Sequence, residues 1–189
     1  MSYPTSPAFN AISPSSKRQT LFSQAVNGRM QSRKIGGHHW SFTAQYAAMD
    51  RAEFAPVLAF VESQHGRHGV FTIIPPTISN TSGTGTGSVT CSAASLGATS
   101  VTIAGLTGTL KSGDYIKFSG HDKVYMLIAD RNGAGAISIS PALITAIVAD
   151  SLIYTNVPFT VRLANDVQSY QLANSGFYHY EVDFVEALS

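Results

Sequence analysis

A single cysteine in 189 residues excludes an internal disulfide, and with it any metal site built on several thiolates. Charge is scarce as well. Asp, Glu, Lys and Arg make up 12% of the chain, about half the share of roughly 25% usual in soluble domains, so Ser, Thr, Asn, Gln and Gly must form much of the surface. The net charge of +1 provides no overall field to steer nucleic acid or an anionic membrane. No apolar run approaches the roughly 18 residues needed to span a bilayer. The opening stretch, residues 1–10, has neither a basic n-region nor an apolar h-region, so no signal peptide is expected and synthesis in a cytosol is implied. This composition suits an all-β protein, or one that hides surface in an assembly.

The length allows one large domain or two small ones. Charge divides the chain into three stretches, net +4 over residues 1–76, zero over 77–156 and −3 over 157–189. The two ends are therefore complementary.

Pro4, Pro7 and Pro14 make the beginning an expected extended arm, because proline lacks the donor a central strand requires. Residues 19–26 and 29–35 read as two short strands joined at Asn27-Gly28, a dipeptide that accepts the positive φ angles of a tight hairpin. Gly36-Gly37 is expected to break the chain. Alternation over 38–46 then predicts a half-buried strand, with His38, Trp40, Phe42, Ala44 and Tyr46 on one face. Asp50 and Glu53 have capping-box spacing, and Phe54, Val57, Leu58 and Val61 follow at helical intervals. Pro56 predicts a kink or a later start to that helix. After Gly66, residues 70–74 read as a buried strand stopped by Pro75-Pro76.

Residues 77–88 are nearly all Ser, Thr, Gly or Asn, the composition of a flexible connector. Beyond them, short β-branched or aromatic runs at 89–93, 100–104, 115–119, 124–129 and 136–140 predict a small barrel or sandwich of five or so strands. Residues 141–148 could form one helical turn or a strand. Three more strands are expected at 159–164, 167–173 and 176–187. They are too few to stand alone, so they should complete the sheet of the first segment. The expected organisation is a domain of residues 1–76 plus 157–189, with an inserted β domain at 77–156.

No pattern of catalysis stands out. A Gly-x-Ser-x-Gly elbow is absent, and Cys91 reads as a small buried hydrophobe. Gly83 to Gly87 lacks the Lys-Ser/Thr ending of a phosphate loop. His38-His39 would point to opposite faces of a strand, and His65 and His68 follow the helix, so neither pair reads as a metal site. Asp114, Asp122 and Asp130 recur every eight residues, a spacing that turn chemistry explains better than calcium. No cofactor or metal is expected. Exposed aromatics could stack on sugars, with Tyr115, Tyr125 and Tyr154 as candidates, although core or interface roles are the commoner use. Arg29, Arg33 and Lys34 against Glu181, Asp183 and Glu186 are the candidate subunit interface, with cross-strand pairing of the same charges inside one subunit as the competing reading.

The stretches Trp40-Ser-Phe-Thr-Ala-Gln-Tyr46, Phe54-Ala-Pro-Val-Leu-Ala-Phe60 and Gly66-Arg-His-Gly-Val-Phe-Thr-Ile-Ile-Pro-Pro76, with the late strands Val161-Arg-Leu163 and Tyr178-His-Tyr-Glu-Val-Asp-Phe184, resemble the distal tail proteins of long-tailed phages, particularly T5-like viruses. Leu110-Lys-Ser-Gly-Asp-Tyr-Ile-Lys-Phe118 and Lys123-Val-Tyr125 are similar to small β modules inserted in phage structural proteins. The resemblance implies a mainly β fold: a split β-sandwich with one α-helix, carrying an inserted small β-barrel of OB-like type. It also implies a six-membered homo-oligomeric ring in the virion, at the tail tip. Its neighbours would be the tail tube, the hub or baseplate and the tape-measure protein, without nucleic acid or membrane insertion. The equal charges of the middle segment argue against nucleic acid at such a barrel. The rival readings are a carbohydrate-binding module for host-surface adhesion and a tail-completion or hub protein.

Overall fold

The computed structural model describes residues 1–188. The fold is mainly β, with one α-helix, a closed six-stranded barrel and further sheets. In chain order come β1 (Ala11–Gln24), β2 (Met30–Gln45), α1 (Arg51–Ser63) and β3 (Phe71–Ile73). The middle of the chain supplies β4 (Val89–Cys91), β5 (Ser100–Ala104), β6 (Thr109–Leu110), β7 (Tyr115–Phe118), β8 (Val124–Leu127), β9 (Arg131–Asn132), β10 (Gly135–Ser140) and β11 (Asp150–Ile153). The end supplies β12 (Phe159–Leu163), β13 (Tyr170–Leu172) and β14 (Tyr178–Glu186). Contacts divide the chain into a unit of Pro4–Gly69 and Arg162–Glu186, called here the hairpin unit, and a second unit containing Met1–Tyr3, Val70–Val161 and Ala187, the barrel unit.

In the hairpin unit β1 and β2 form a long antiparallel pair turning at Asn27-Gly28, and β14 pairs β2 from Ser41 to Gln45. Alternation over residues 38–46 is realised: His38, Trp40, Phe42, Ala44 and Tyr46 are buried, and the residues between them are not. Tyr180, Val182 and Phe184 of β14 continue that buried face. Pro14 lies inside β1 rather than in a free arm, opposite Phe42. It is tolerated because β1 is the edge strand, where a missing N–H breaks no ladder bond. Nor do Gly36-Gly37 end the strand. Pairing slips between Arg18 and Thr20, and Gly37, at φ 98°, lets β2 absorb the extra residues as a bulge.

Helix α1 starts at Arg51 with a complete capping box, Asp50 accepting the Glu53 amide and Glu53 accepting the Asp50 amide. Pro56 therefore does not delay its start. Phe54, Val57 and Val61 are buried, each worth about 1.5–3 kcal/mol, so packing outweighs the cap's ~1 kcal/mol. Leu58, expected on the same face, is only partly covered. His65 at φ 54° and Gly66 at φ 66° then reverse the chain.

The barrel unit closes six strands in the order β10-β5-β4-β11-β7-β8, antiparallel at every pairing. Closure leaves no exposed edge and wraps a core of which Val101, Ile103, Ile116, Phe118 and Tyr125 are members. β6 pairs β9, and β3 pairs β12. Residues 141–148 form neither a helix nor a strand, but Ile147 makes an isolated bridge to Ala94.

Residues 77–88 are not a free connector. The Thr81 amide donates to Tyr154 O at 3.0 Å, and Thr86 and Thr107 exchange two backbone bonds of 2.8 and 3.0 Å. A Cβ on Gly83 would collide with the Thr109 carbonyl oxygen, and one on Gly108 with that of Thr84. The Gly-rich composition serves close backbone approach, a need that looks in sequence like a linker.

Candidate functional site

The exposed feature that most needs explanation is the outer part of the β1–β2 hairpin. β14 covers β2 only from Ser41 onward, so residues 17–37 form a two-stranded ribbon with exposed residues on both faces. Such a ribbon is marginal in water unless something covers it. Its side chains are not those of a solvated loop: Phe22 is 60% and Met30 65% exposed, and Leu21 and Val26 are open as well. The same ribbon carries Lys17, Arg18, Arg29, Arg33 and Lys34 and no acidic residue. The hairpin unit has eight Lys and Arg and seven Asp and Glu, so five of its cations and none of its carboxylates sit on this ribbon.

The second feature lies on the body of the same unit. Phe54 of α1 stacks on Tyr178 of β14 at 4.7 Å and meets Tyr170 of β13 at 5.1 Å. Above these rings an open groove of about 570 Å³ is lined by Leu58, Tyr170, Leu172 and Tyr178, with Arg51 and Glu62 near opposite ends of α1. Tyr170 and Leu172 are exposed there. Sequence reading missed both features. The available signal was that Leu21, Phe22, Ala25 and Val26 give no single apolar face, unlike residues 38–46.

Of the candidate interface residues, Arg33 and Lys34 lie opposite Leu21 and Thr20 on the ribbon, and Arg29 follows its turn. Glu181 accepts from Gln45 at 2.6 Å and Asp183 from Thr43 at 2.6 Å, at the other end of β2. Strand register thus keeps the basic and acidic sets apart within one chain. Glu186 is buried and accepts the Trp40 amide at 3.0 Å, which withdraws it from the surface.

The candidate sugar-stacking rings are also withdrawn. Tyr115, Tyr125 and Tyr154 are all buried: Tyr115 edge-on to Phe159 at 5.4 Å, Tyr125 accepting the Ile144 amide, and Tyr154 donating to Gly87 O at 2.6 Å. None presents a face on which a sugar could stack. Burial raises the Tyr115 hydroxyl pKa.

Asp114 fastens the strap of residues 77–88, accepting from the Thr81 hydroxyl and from Ser82 N and Oγ at 2.9 and 2.7 Å, and it also accepts the Lys111 amide at 2.9 Å. Asp130 accepts from Lys111 Nζ at 2.7 Å and the Ser112 amide at 2.8 Å, bonds that hold its carboxyl down at about 2. Cys91 is buried, and desolvation aided by Asp150 pushes its thiol up to about 12, far from reactivity at neutral pH. His38 is buried edge-on to Trp40 at 4.6 Å with Ser16 Oγ 2.9 Å from Nε2. Among the described residues no three His, Cys, Asp or Glu side chains are grouped to hold a metal. Chelation should accordingly leave the melting temperature unchanged; a drop of several degrees, with stoichiometric metal by elemental analysis, would reverse this expectation.

Among the described residues no helix is long and apolar enough to cross a membrane. No protein-family model matches the chain, and no curated protein matches its sequence.

Proposed function

We propose that this chain is a structural virion subunit, a homo-oligomeric distal tail ring that joins the tail tube to the tail tip or baseplate of a long-tailed phage. The observation that carries the reading is the β1–β2 ribbon, basic and apolar on both faces, which a lone subunit leaves in water. Ring assembly gives it cover. The resemblance of the Trp40–Tyr46, Phe54–Phe60 and Tyr178–Phe184 stretches to distal tail proteins supplies the place in the virion, and a mainly β fold with a small barrel is in keeping with it. Six copies are expected. The tail tube, the hub or baseplate and the tape-measure protein are its expected neighbours, and no chemical reaction is part of the role.

The test is the mass and symmetry of the purified full chain. Light scattering should give about six times the 20.1 kDa of one chain, and negative-stain images should show six-fold rings. A different closed symmetry would favour a tail-completion or hub protein. A monomer at all accessible concentrations would overturn the reading.

A further inference from the structure

We infer that the tip of the β1–β2 ribbon seats in the groove between α1 and β13 of a second copy of this chain. The inference rests on the ring-forming reading and names the contact that would build it.

The groove and the tip have matching chemistry. The groove is an apolar cleft with an aromatic floor, Phe54, Tyr170 and Tyr178, and its volume of about 570 Å³ suits a few apolar side chains. At the tip, Val26, Met30 and Phe22 are apolar side chains without cover. Their electrostatics also complement one another. The ribbon carries five cations and no acid, whereas Asp50, Glu53 and Glu62 lie on or beside α1. Arg51 is the exception in the groove, at the end of α1 opposite Glu62.

The occupant cannot be the chain's own tip. The Tyr46 amide donates to Tyr180 O, so the groove's aromatic floor lies beside the Gln45 end of β2. Asn27-Gly28 is some 18 residues away along that strand, roughly 60 Å at about 3.3 Å per residue, and β1 and β2 stay paired to each other along that length, with one bulge between Arg18 and Thr20, rather than folding back. A tip on one side and a groove on the other make a head-to-tail contact, and repetition of such a contact generates a ring when the rotation closes.

Cysteine pairing in the full-length protein tests this, because the buried Cys91 stays silent. Val26→Cys and Leu58→Cys proteins are mixed and oxidised mildly, with Leu172→Cys as a second seat variant. Val148→Cys, exposed on the barrel unit, replaces the seat variant as the collision control. Seated tips should give interchain disulfide about tenfold or more above that control, as a held contact has an effective concentration far above a dilute solution's. A yield equal to the control, in protein whose mass remains oligomeric, overturns the seat and leaves the ring reading standing. A monomeric mass overturns both. Monomer that sediments with anionic phospholipid vesicles, but not after Arg33→Glu and Lys34→Glu, would make the ribbon a lipid-binding arm and also overturn the seat.

Discussion

Gly83→Ala should destabilise the barrel by about 3 kcal/mol or more, a large fraction of the roughly 5–15 kcal/mol that holds a typical domain together. The added Cβ would run into the Thr109 carbonyl oxygen, a backbone atom that cannot swing aside as a side-chain end can. Relief requires the strap of residues 77–88 to lift. That movement would threaten the Thr86–Thr107 bonds and the Tyr154 hydroxyl's bond to Gly87 O. Gly36→Ala is the control: nothing lies within 4 Å of its added Cβ, and its φ is not positive. Calorimetry on both proteins should show a fall of several degrees or more for Gly83→Ala and little change for Gly36→Ala. Equal, small effects would mean that the strap yields at no cost.

Asp114→Ala should cost about 3 kcal/mol at neutral pH, since it leaves the Ser82 and Lys111 amides and the Thr81 hydroxyl facing a carboxylate that is gone. Its effect should also depend on pH. Burial alone would raise this carboxyl, but the bonds from Thr81, Ser82 and Lys111 outweigh it and hold the folded pKa below its ordinary value. A depressed folded pKa stabilises the protein above the unfolded value of about 3.9 and loses that contribution as pH falls through the folded one. The gap in unfolding free energy between wild type and Asp114→Asn should therefore be full at pH 6 and narrow below pH 4. A gap that stays constant down to pH 2 would show that the charge contributes nothing.

What could be read from sequence followed from periodicity and local backbone chemistry. Residues 38–46 alternate because one face of β2 is buried, Asp50 and Glu53 announce the cap through their spacing, and Asn27-Gly28 announces the turn through its φ requirement. Each signal is written within a few residues. The misses depended on partners far along the chain. Pro14 became acceptable only because β1 is an edge strand, and Gly83 and Gly108 mark close approach only once Thr109 and Thr84 lie against them. Tyr115, Tyr125 and Tyr154 looked the same in sequence as exposed rings, because a small barrel buries aromatics from short strands that have little periodicity to read. The ribbon and the groove escaped for the opposite reason. Their residues are apolar without being core, and hydropathy alone does not tell a subunit's interior from the surface it offers to another.

The pairing of β14 with β2 joins Val185 to Ser41 and Glu181 to Gln45, residues separated by about three quarters of the chain. On the ribosome, β2 must wait for the entire middle segment to be made before its partner emerges, whereas the barrel's strands are all supplied by that segment. Through that interval Trp40, Phe42 and Tyr46 have no β14 to cover them. The nascent chain is most prone to aggregation then, and a slowed synthesis of residues 70–161 would lengthen the exposure while giving the barrel time to close first.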